Sequence, residues 1–213
     1  YQAQALIDIG FALHTRQIPM DDIRDVVIRT SHHTHYVIGT GSADPQKMDP
    51  DASRETLDHS AMYILAVAWQ DGAWDHVASY SSERAHRPST VSLWQKIRTE
   101  EVSEWTQAYH EPDFRGKKFG AEVVVTMRDG STVSQRLDNP NAHSLGAHPF
   151  ERDDYVGKLR ALGEEIAGAA EIDRFLGLIE RLPELTPAEV LSLNVVVPAE
   201  RIEAADEVRV GIM

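Results

Sequence analysis

The chain has 213 residues, of which 42% are hydrophobic and 26% are charged, as in an ordinary globular protein. Its formal net charge of −13 provides no basic footprint, which argues against nucleic acid and anionic membranes as partners. Cysteine is absent, which excludes disulfides, thiolate chemistry and cysteine-bound iron–sulfur clusters. No membrane span or signal peptide is visible, so we expect a cytoplasmic protein. The chain begins at Tyr1 in a helical pattern, from which we expect a missing upstream segment.

The first half of the chain predicts a helix, a strand, a loop and a second helix. Apolar residues at helical spacing predict a helix over residues 2–15, and alternation predicts a strand over residues 23–30. Glycines and prolines in residues 31–52 indicate a long loop. Residues 56–70 are apolar almost all round after the first turn, so they predict a buried helix that ends at Gly72.

The second half of the chain predicts a hairpin and then helices. Pro88 begins a helix whose buried side includes Ile97. The Asp-Gly pair at 129–130 joins two strands as a hairpin. Residues 138–149 read as a loop, and residues 151–194 are helical by period.

Strands therefore cluster in the middle of the chain and helices at both ends, which predicts an α+β fold. We expect residues 21–146 to form a small α+β domain. Residues 1–20 and 147–213 are expected to belong to a larger helical domain that this small domain interrupts.

A polar cluster at the mouth of the predicted buried helix is the main candidate site. On a continuous helix His59, Tyr63 and Gln70 share one stripe. Arg54 could bind a carboxylate with its bidentate fork, and Asp58 could fix the tautomer of the histidine. Either a ligand or hydrogen bonds to the nearby backbone could satisfy these groups, and both alternatives remain open.

Three weaker signals lie elsewhere. His32, His33 and His35 could gather around Zn²⁺, but no helix or cysteine fixes their geometry, so we predict a polar loop and no metal site. Residues 39–42 lack the lysine of a phosphate loop and are interpreted as a flexible loop. His148 is a distant site candidate in a segment that is better explained as a turn before a helix.

Several motifs together resemble the MmgE/PrpD family. The most specific is Ser53-Arg-Glu-Thr-Leu-Asp-His-Ser60, followed by Tyr63. Further matches are residues 1–6, the Lys-Met-Asp-Pro of residues 47–50, Asp71-Gly72, the Asp-Gly hairpin and residues 211–213. The resemblance covers nearly the whole chain and implies the C-terminal part of a protein about twice as long.

The resemblance implies a lyase that removes water from 2-methylcitrate to give 2-methyl-cis-aconitate, a step of propionate catabolism in the methylcitrate cycle. It implies no metal or other cofactor, a tricarboxylate substrate, a homodimer, and a pocket completed by the N-terminal part of the same enzyme. The catalytic candidates are His59 and Tyr63, and the substrate-binding candidates are Arg54, Asp58, Ser60 and His148.

The pocket is expected to be incomplete in this chain. Several relatives have a histidine where Gln2 stands, and their nearby lysine would lie before Tyr1. Two alternatives stay open beside the dehydratase hypothesis. One is another tricarboxylate lyase of the same family, such as a cis-aconitate decarboxylase, and the other is a non-catalytic dimerisation or binding domain.

Overall fold

The computed structural model describes residues 2–206, and for residues 203–206 it describes the backbone alone. Tyr1 and residues 211–213, which contribute to the family resemblance, lie outside this part. The chain forms two compact units, Tyr1–Pro149 and Phe150–Met213. Helices combine with a mixed four-stranded sheet, which confirms the predicted α+β class.

The sheet of the first unit has the strand order β2-β1-β3-β4. The edge strand β2 pairs with β1 in parallel, with Val26 opposite Ile97, and the other two pairs are antiparallel. The strand predicted over residues 23–30 and the Asp-Gly hairpin are both confirmed. Gly130 has a φ of +88°, a conformation that glycine adopts without steric cost. The strands are β1 (Ile23–Thr30), β2 (Ile97–Glu101), β3 (Ala121–Met127) and β4 (Thr132–Leu137).

Seven α-helices accompany the sheet in the described part of the first unit: α1 (Gln4–Thr15), α2 (His32–Val37), α3 (Arg54–Asp58), α4 (Ala61–Asp71), α5 (Ser82–Ala85), α6 (Pro88–Trp94) and α7 (Ser103–His110). Two predictions are wrong here. Residues 31–52 include α2 and two short 3₁₀ turns rather than a structureless loop, and Ile97 lies in β2 rather than on the helix that begins at Pro88.

Helix α4 forms the centre of the hydrophobic core, as its apolar sequence predicts. Every residue from Ala61 to Trp69 is buried. Helix α1 packs closely against it at Gly10, where a Cβ atom would lie 2.7 Å from the Cβ of Ala68. The predicted end of the helix is confirmed, because Gly72 adopts a left-handed conformation with a φ of +62°. Because α4 is held in the core, the residues at its two ends are held in place as well.

The second unit is helical, which confirms the prediction for residues 151–194. Glu151 and Asp154 form a capping box at the start of its first helix. Gly168, with a φ of +88°, separates the two longest helices. The helices are α8 (Arg152–Ala167), α9 (Ala169–Glu180), α10 (Pro187–Val190) and α11 (Ala199–Asp206).

The division into a small domain and a larger helical domain stays a prediction. Within this chain, α1 lies in the first unit, where it packs on α4 and the sheet. Among the described residues, none of the helices combines the length and the apolar character needed to cross a bilayer.

Candidate active site

A break between two helices divides the predicted polar cluster. Ser53 begins α3 by accepting a hydrogen bond from the backbone N–H of Thr56, and Ser60 begins α4 by accepting one from Tyr63. The chain turns between them at His59. The prediction of one continuous helix over residues 56–70 is therefore wrong, and so is the shared stripe of His59, Tyr63 and Gln70. The cause is a second helix cap, Ser60.

His59 is exposed at the end of α3. Its Nδ1 atom lies 2.8 Å from the carbonyl oxygen of Glu55. A carbonyl only accepts hydrogen bonds, so Nδ1 carries the proton in the neutral ring and Nε2 keeps a lone pair. Among the described residues, no hydrogen bond involves Nε2 of His59. The tautomer is thus fixed by the backbone of Glu55 and not by Asp58, and Nε2 can accept a proton from outside.

Tyr63 lies in the core, with none of its surface exposed. Its hydroxyl donates a 2.6 Å hydrogen bond to the carbonyl oxygen of Ser79, and its ring packs 5.0 Å from the Trp94 ring. Burial raises the pKa of Tyr63 to about 12. In this arrangement the hydroxyl is a buried donor with a backbone partner, and its catalytic assignment stays a prediction.

Arg54 and Asp58 both contact the segment that follows α4. Arg54 donates through Nη2 to the carbonyl oxygen of His76 at 3.0 Å, and its guanidinium carbon lies 5.2 Å from the centre of the Tyr80 ring. The Tyr80 hydroxyl donates a 2.5 Å hydrogen bond to Asp58 Oδ1. We call residues 74–80 the strap, because this segment binds α3 and the start of α4 together.

The structure therefore brings some of the predicted site residues together and leaves others apart. Arg54, Asp58 and Tyr63 are all bonded to the strap. Ser60 is buried and donates to the carbonyl oxygen of Lys47 at 2.7 Å, which is a structural contact. His148 is exposed, and its backbone N–H donates to the carbonyl oxygen of Asn141. No contact among the described residues joins it to α3.

Sequence reasoning missed two residues of this region, Tyr80 and Arg84. Arg84 is 4% exposed and binds Asp71 through Nε at 2.8 Å and through Nη2 at 3.0 Å. It also donates to Gln70 and to Thr90. Gln70, which we predicted on one stripe with His59 and Tyr63, thus has its hydrogen-bond partners within the protein. No periodic pattern reveals these contacts, because Arg84 lies 13 positions from Asp71 and 14 from Gln70, on a different helix.

The three neighbouring histidines form separate contacts. His32 and His35 lie in α2, where Nδ1 of each ring is bonded, to Glu101 at 2.9 Å and to Thr99 at 2.6 Å. The described residues include no group of three or more histidine, aspartate or glutamate side chains that could hold a metal ion. Two exposed residues of this region could contact a ligand. Arg54 in α3 carries positive charge, and His59 at the C-terminal end of α3 can accept a proton.

Comparisons with known proteins identify relatives over most of the chain. The family model described as the MmgE/PrpD C-terminal domain matches residues 1–183, which confirms the resemblance. A cis-aconitate decarboxylase of Mus musculus is 25% identical over 187 residues, covering 88% of this chain and 34% of that protein. A probable 2-methylcitrate dehydratase of Saccharomyces cerevisiae is 27% identical over 135 residues, covering 63% of this chain and 23% of that protein.

A third relative, the mitochondrial 2-methylcitrate dehydratase of Yarrowia lipolytica, is 24% identical over 148 residues. That match covers 67% of this chain and 26% of the relative. The chain thus spans about a third or less of the length of these curated relatives. At such identities the matches support the family and do not separate one activity from another.

Proposed function

Because this chain belongs to the MmgE/PrpD family, we propose that it forms part of a lyase that acts on a tricarboxylate. The first candidate reaction is the removal of water from 2-methylcitrate, which gives 2-methyl-cis-aconitate in propionate catabolism. The relatives include two 2-methylcitrate dehydratases and a cis-aconitate decarboxylase. The specific substrate and reaction of this chain are part of the proposal.

The observation that carries the proposal is the exposed pair on α3. In the neutral ring of His59, Nε2 keeps its lone pair, which suits a general base that removes a proton from the carbon next to a carboxylate. Arg54 uses one of its five N–H donors on His76, so its guanidinium retains donors for a carboxylate. A cation near the developing negative charge stabilises the transition state of proton removal.

The elimination breaks a C–H bond and a C–O bond and forms a C=C bond. His59 Nε2 takes the proton, and the hydroxyl leaves as water after it receives a proton from an acid. Tyr63 is sealed beneath the strap in the described structure, so we propose that the acid comes from the N-terminal part of the enzyme. The dehydration requires no oxidant or reductant.

The test uses the full-length protein that carries this chain. With 2-methylcitrate, we expect the ultraviolet absorbance of the unsaturated product to rise. His59→Gln should lower kcat by roughly 10²- to 10⁴-fold, the usual contribution of a general base. His110→Gln, which changes another exposed histidine, is the matched control and should retain activity. No product with the unchanged protein, or equal rates in both variants, would contradict the proposal.

Decarboxylation of cis-aconitate is the second candidate. The relative named cis-aconitate decarboxylase covers 88% of this chain, more than the two dehydratases compared here. Release of CO₂ from cis-aconitate, without turnover of 2-methylcitrate, would favour this reaction. A chain that is only a dimerisation or binding domain would support neither turnover, even in the full-length protein.

The partners in this proposal are the N-terminal part of the same enzyme and a second copy. The second unit exposes large apolar side chains, including Tyr155 at 61% and Ile166 at 53%, which suit contact with another helical surface. We therefore propose that residues 147–213 complete a larger helical domain and that the whole enzyme is a cytoplasmic homodimer. Size-exclusion chromatography with light scattering on the full-length protein, and fractionation of the cells that produce it, test these two points.

A further inference from the structure

Arg54 and Asp58 do not pair with each other, although their spacing favours it. They lie four residues apart on α3, and opposite charges at this spacing on a helix commonly form an ion pair. In the described part of the chain, neither side chain takes part in an ion pair. Instead, Tyr80 lies at both of them, with its hydroxyl 2.5 Å from Asp58 Oδ1 and its ring 5.2 Å from the Arg54 guanidinium carbon.

We propose that Tyr80 is a positioning residue that keeps Asp58 away from Arg54, so that Arg54 remains available to a carboxylate of the ligand. The inference rests on the proposed function for the identity of that ligand, a tricarboxylate. The hydroxyl of Tyr80 binds the aspartate, and the face of its ring supports the guanidinium. Without this arrangement the aspartate one turn away could pair with Arg54, as the spacing of four residues favours.

Tyr80 is itself held firmly in place. Its ring packs edge-on against Trp74 at 5.2 Å and lies over Tyr63 at 6.3 Å. The Tyr63 hydroxyl bonds to the neighbouring Ser79, and Asp75 Oδ1 accepts two backbone N–H groups within the strap. These contacts order the strap, so Tyr80 has supports besides its contacts with Arg54 and Asp58.

The charge state of Tyr80 suits this role. Burial, and then the hydrogen bond to Asp58, raise the pKa of Tyr80 above its ordinary value. The hydroxyl therefore stays protonated at neutral pH and acts as a donor toward the carboxylate. Arg54 is exposed and spends one N–H group on His76, which leaves a free edge for bidentate binding of a carboxylate.

The test compares citrate binding to the full-length protein and its variants by calorimetry. Tyr80→Phe keeps the ring and frees Asp58 to pair with Arg54, so citrate should bind about 2- to 5-fold more weakly, in line with the strength of an exposed ion pair. Adding Asp58→Asn to Tyr80→Phe should restore the affinity, because the competing charge is gone. A purely structural role for Tyr80 predicts no such rescue.

The second readout needs no ligand. The Nε–H signal of Arg54 in arginine-labelled protein, assigned by its loss in Arg54→Lys, should shift in Tyr80→Phe and return in the double variant. Tyr109→Phe, which changes a tyrosine packed on His33 and Phe119, is the matched control and should leave the signal unchanged.

The two readouts separate the two proposals. If the unchanged protein binds no citrate but the Arg54 signal moves and returns as described, the tricarboxylate proposal fails and the role of Tyr80 stands. If citrate binds but neither the affinity nor the Arg54 signal responds to Tyr80→Phe, the role of Tyr80 is overturned. Equal unfolding temperatures of the variants show that each comparison is made on folded protein.

Discussion

Helices α3 and α4 are adjacent in sequence and differ in almost every physical respect. Helix α3 has five residues and presents Arg54 and Asp58 on its exposed surface, whereas α4 is buried from Ala61 to Trp69. The side chains of Tyr63, Gln70 and Asp71 in α4 have partners within the protein. His59 and Arg54, by contrast, retain an acceptor and donors for a ligand. One motif thus contains both core and surface residues, and the helix cap at Ser60 is the boundary between them.

The largest effect expected from this comparison is at the C-terminal end of α4. Arg84→Ala removes a buried guanidinium and leaves the Asp71 carboxylate without its main partner. Breaking a fully buried ion pair costs about 3–5 kcal/mol. The Asp71 side chain is 31% exposed and can be partly hydrated, so the free energy of unfolding in urea should fall by about 3 kcal/mol, the lower end of that range. Arg87→Ala is the control, because Arg87 is half exposed and its Nη1 atom lies 3.8 Å from Oδ1 of the same Asp71. Its loss should cost less than about 1 kcal/mol.

Similar losses in Arg84→Ala and Arg87→Ala would show that burial does not distinguish the two arginines. The structural description of α4 would then be wrong at this end. A small loss in both would mean that Asp71 and Gln70 are solvated, and Gln70 could then be reconsidered as a ligand-facing residue.

The second effect concerns Tyr63 and alkaline pH. Its pKa is about 12 in the folded protein and about 10 in an unfolded chain, so the folded state keeps its proton longer. The stabilisation is complete below pH 10 and is lost as the pH rises toward 12. The difference corresponds to roughly 2–3 kcal/mol. Urea unfolding at several pH values should show this decline in the unchanged protein and a shallower one in Tyr63→Phe.

The control for that experiment is Tyr109→Phe, since Tyr109 lies in α7 and its ring packs against Phe119. It removes one tyrosine without changing the core around α4. Equal alkaline declines in Tyr63→Phe and in the unchanged protein would indicate that the Tyr63 hydroxyl is solvated. Tyr63 would then be accessible enough to act on a substrate.

The sequence predicts the fold of this region better than it predicts the site. Alternation identified β1, the Asp-Gly pair identified the hairpin, and continuous apolarity identified α4, because each depends on local periodicity or turn chemistry. The break before Ser60 was missed since a serine inside a helical pattern is not by itself a cap. Strand β2 was missed because its pairing with β1 joins residues about 70 positions apart, such as Val26 and Ile97.

The site depends even more on such distant contacts. Arg54, Asp58 and His59 were predicted from their chemistry and their place in a motif, and the structure places them on α3. Their partners in the strap, Tyr80 and His76, are 22 positions from Asp58 and Arg54 respectively. No periodic pattern links these residues, so the exposed or buried state of each side chain could be learned only from the three-dimensional structure.

The third effect is a change in stability close to zero when His59 is replaced. His59 is exposed, and within the described residues its ring bonds only to the backbone of Glu55, so His59→Gln should change the free energy of unfolding by no more than about 0.5 kcal/mol. The same variant is expected to lose most of the activity of the full-length enzyme. Urea unfolding and the turnover assay on one preparation separate the two. A large loss of stability would assign His59 to the structure of α3 and remove the main support for its role as a base.

The smallest effect concerns His86, which links α5 to the segment before α3. Its Nδ1 lies 2.8 Å from the carbonyl oxygen of Ser82 and its Nε2 lies 2.9 Å from Asp51 Oδ1. Both partners are acceptors, so the ring satisfies them together only as an imidazolium. The Ser82 carbonyl, and then the Asp51 carboxylate, raise the pKa of His86 above its usual 6.5. The contact is fully present below the unfolded pKa and is lost as the pH rises through the folded one.

Asp51→Asn should move the NMR titration midpoint of His86 down toward the usual value while leaving the exposed face of α3 intact. Asp153→Asn, which removes one negative charge in the second unit, controls for the change in net charge and should leave the midpoint in place. Equal midpoints in all three proteins would mean that the His86–Asp51 contact is absent in solution. The segment before α3 would then be anchored by its remaining contacts, among them the hydrogen bond from Gln95 to the carbonyl oxygen of Met48.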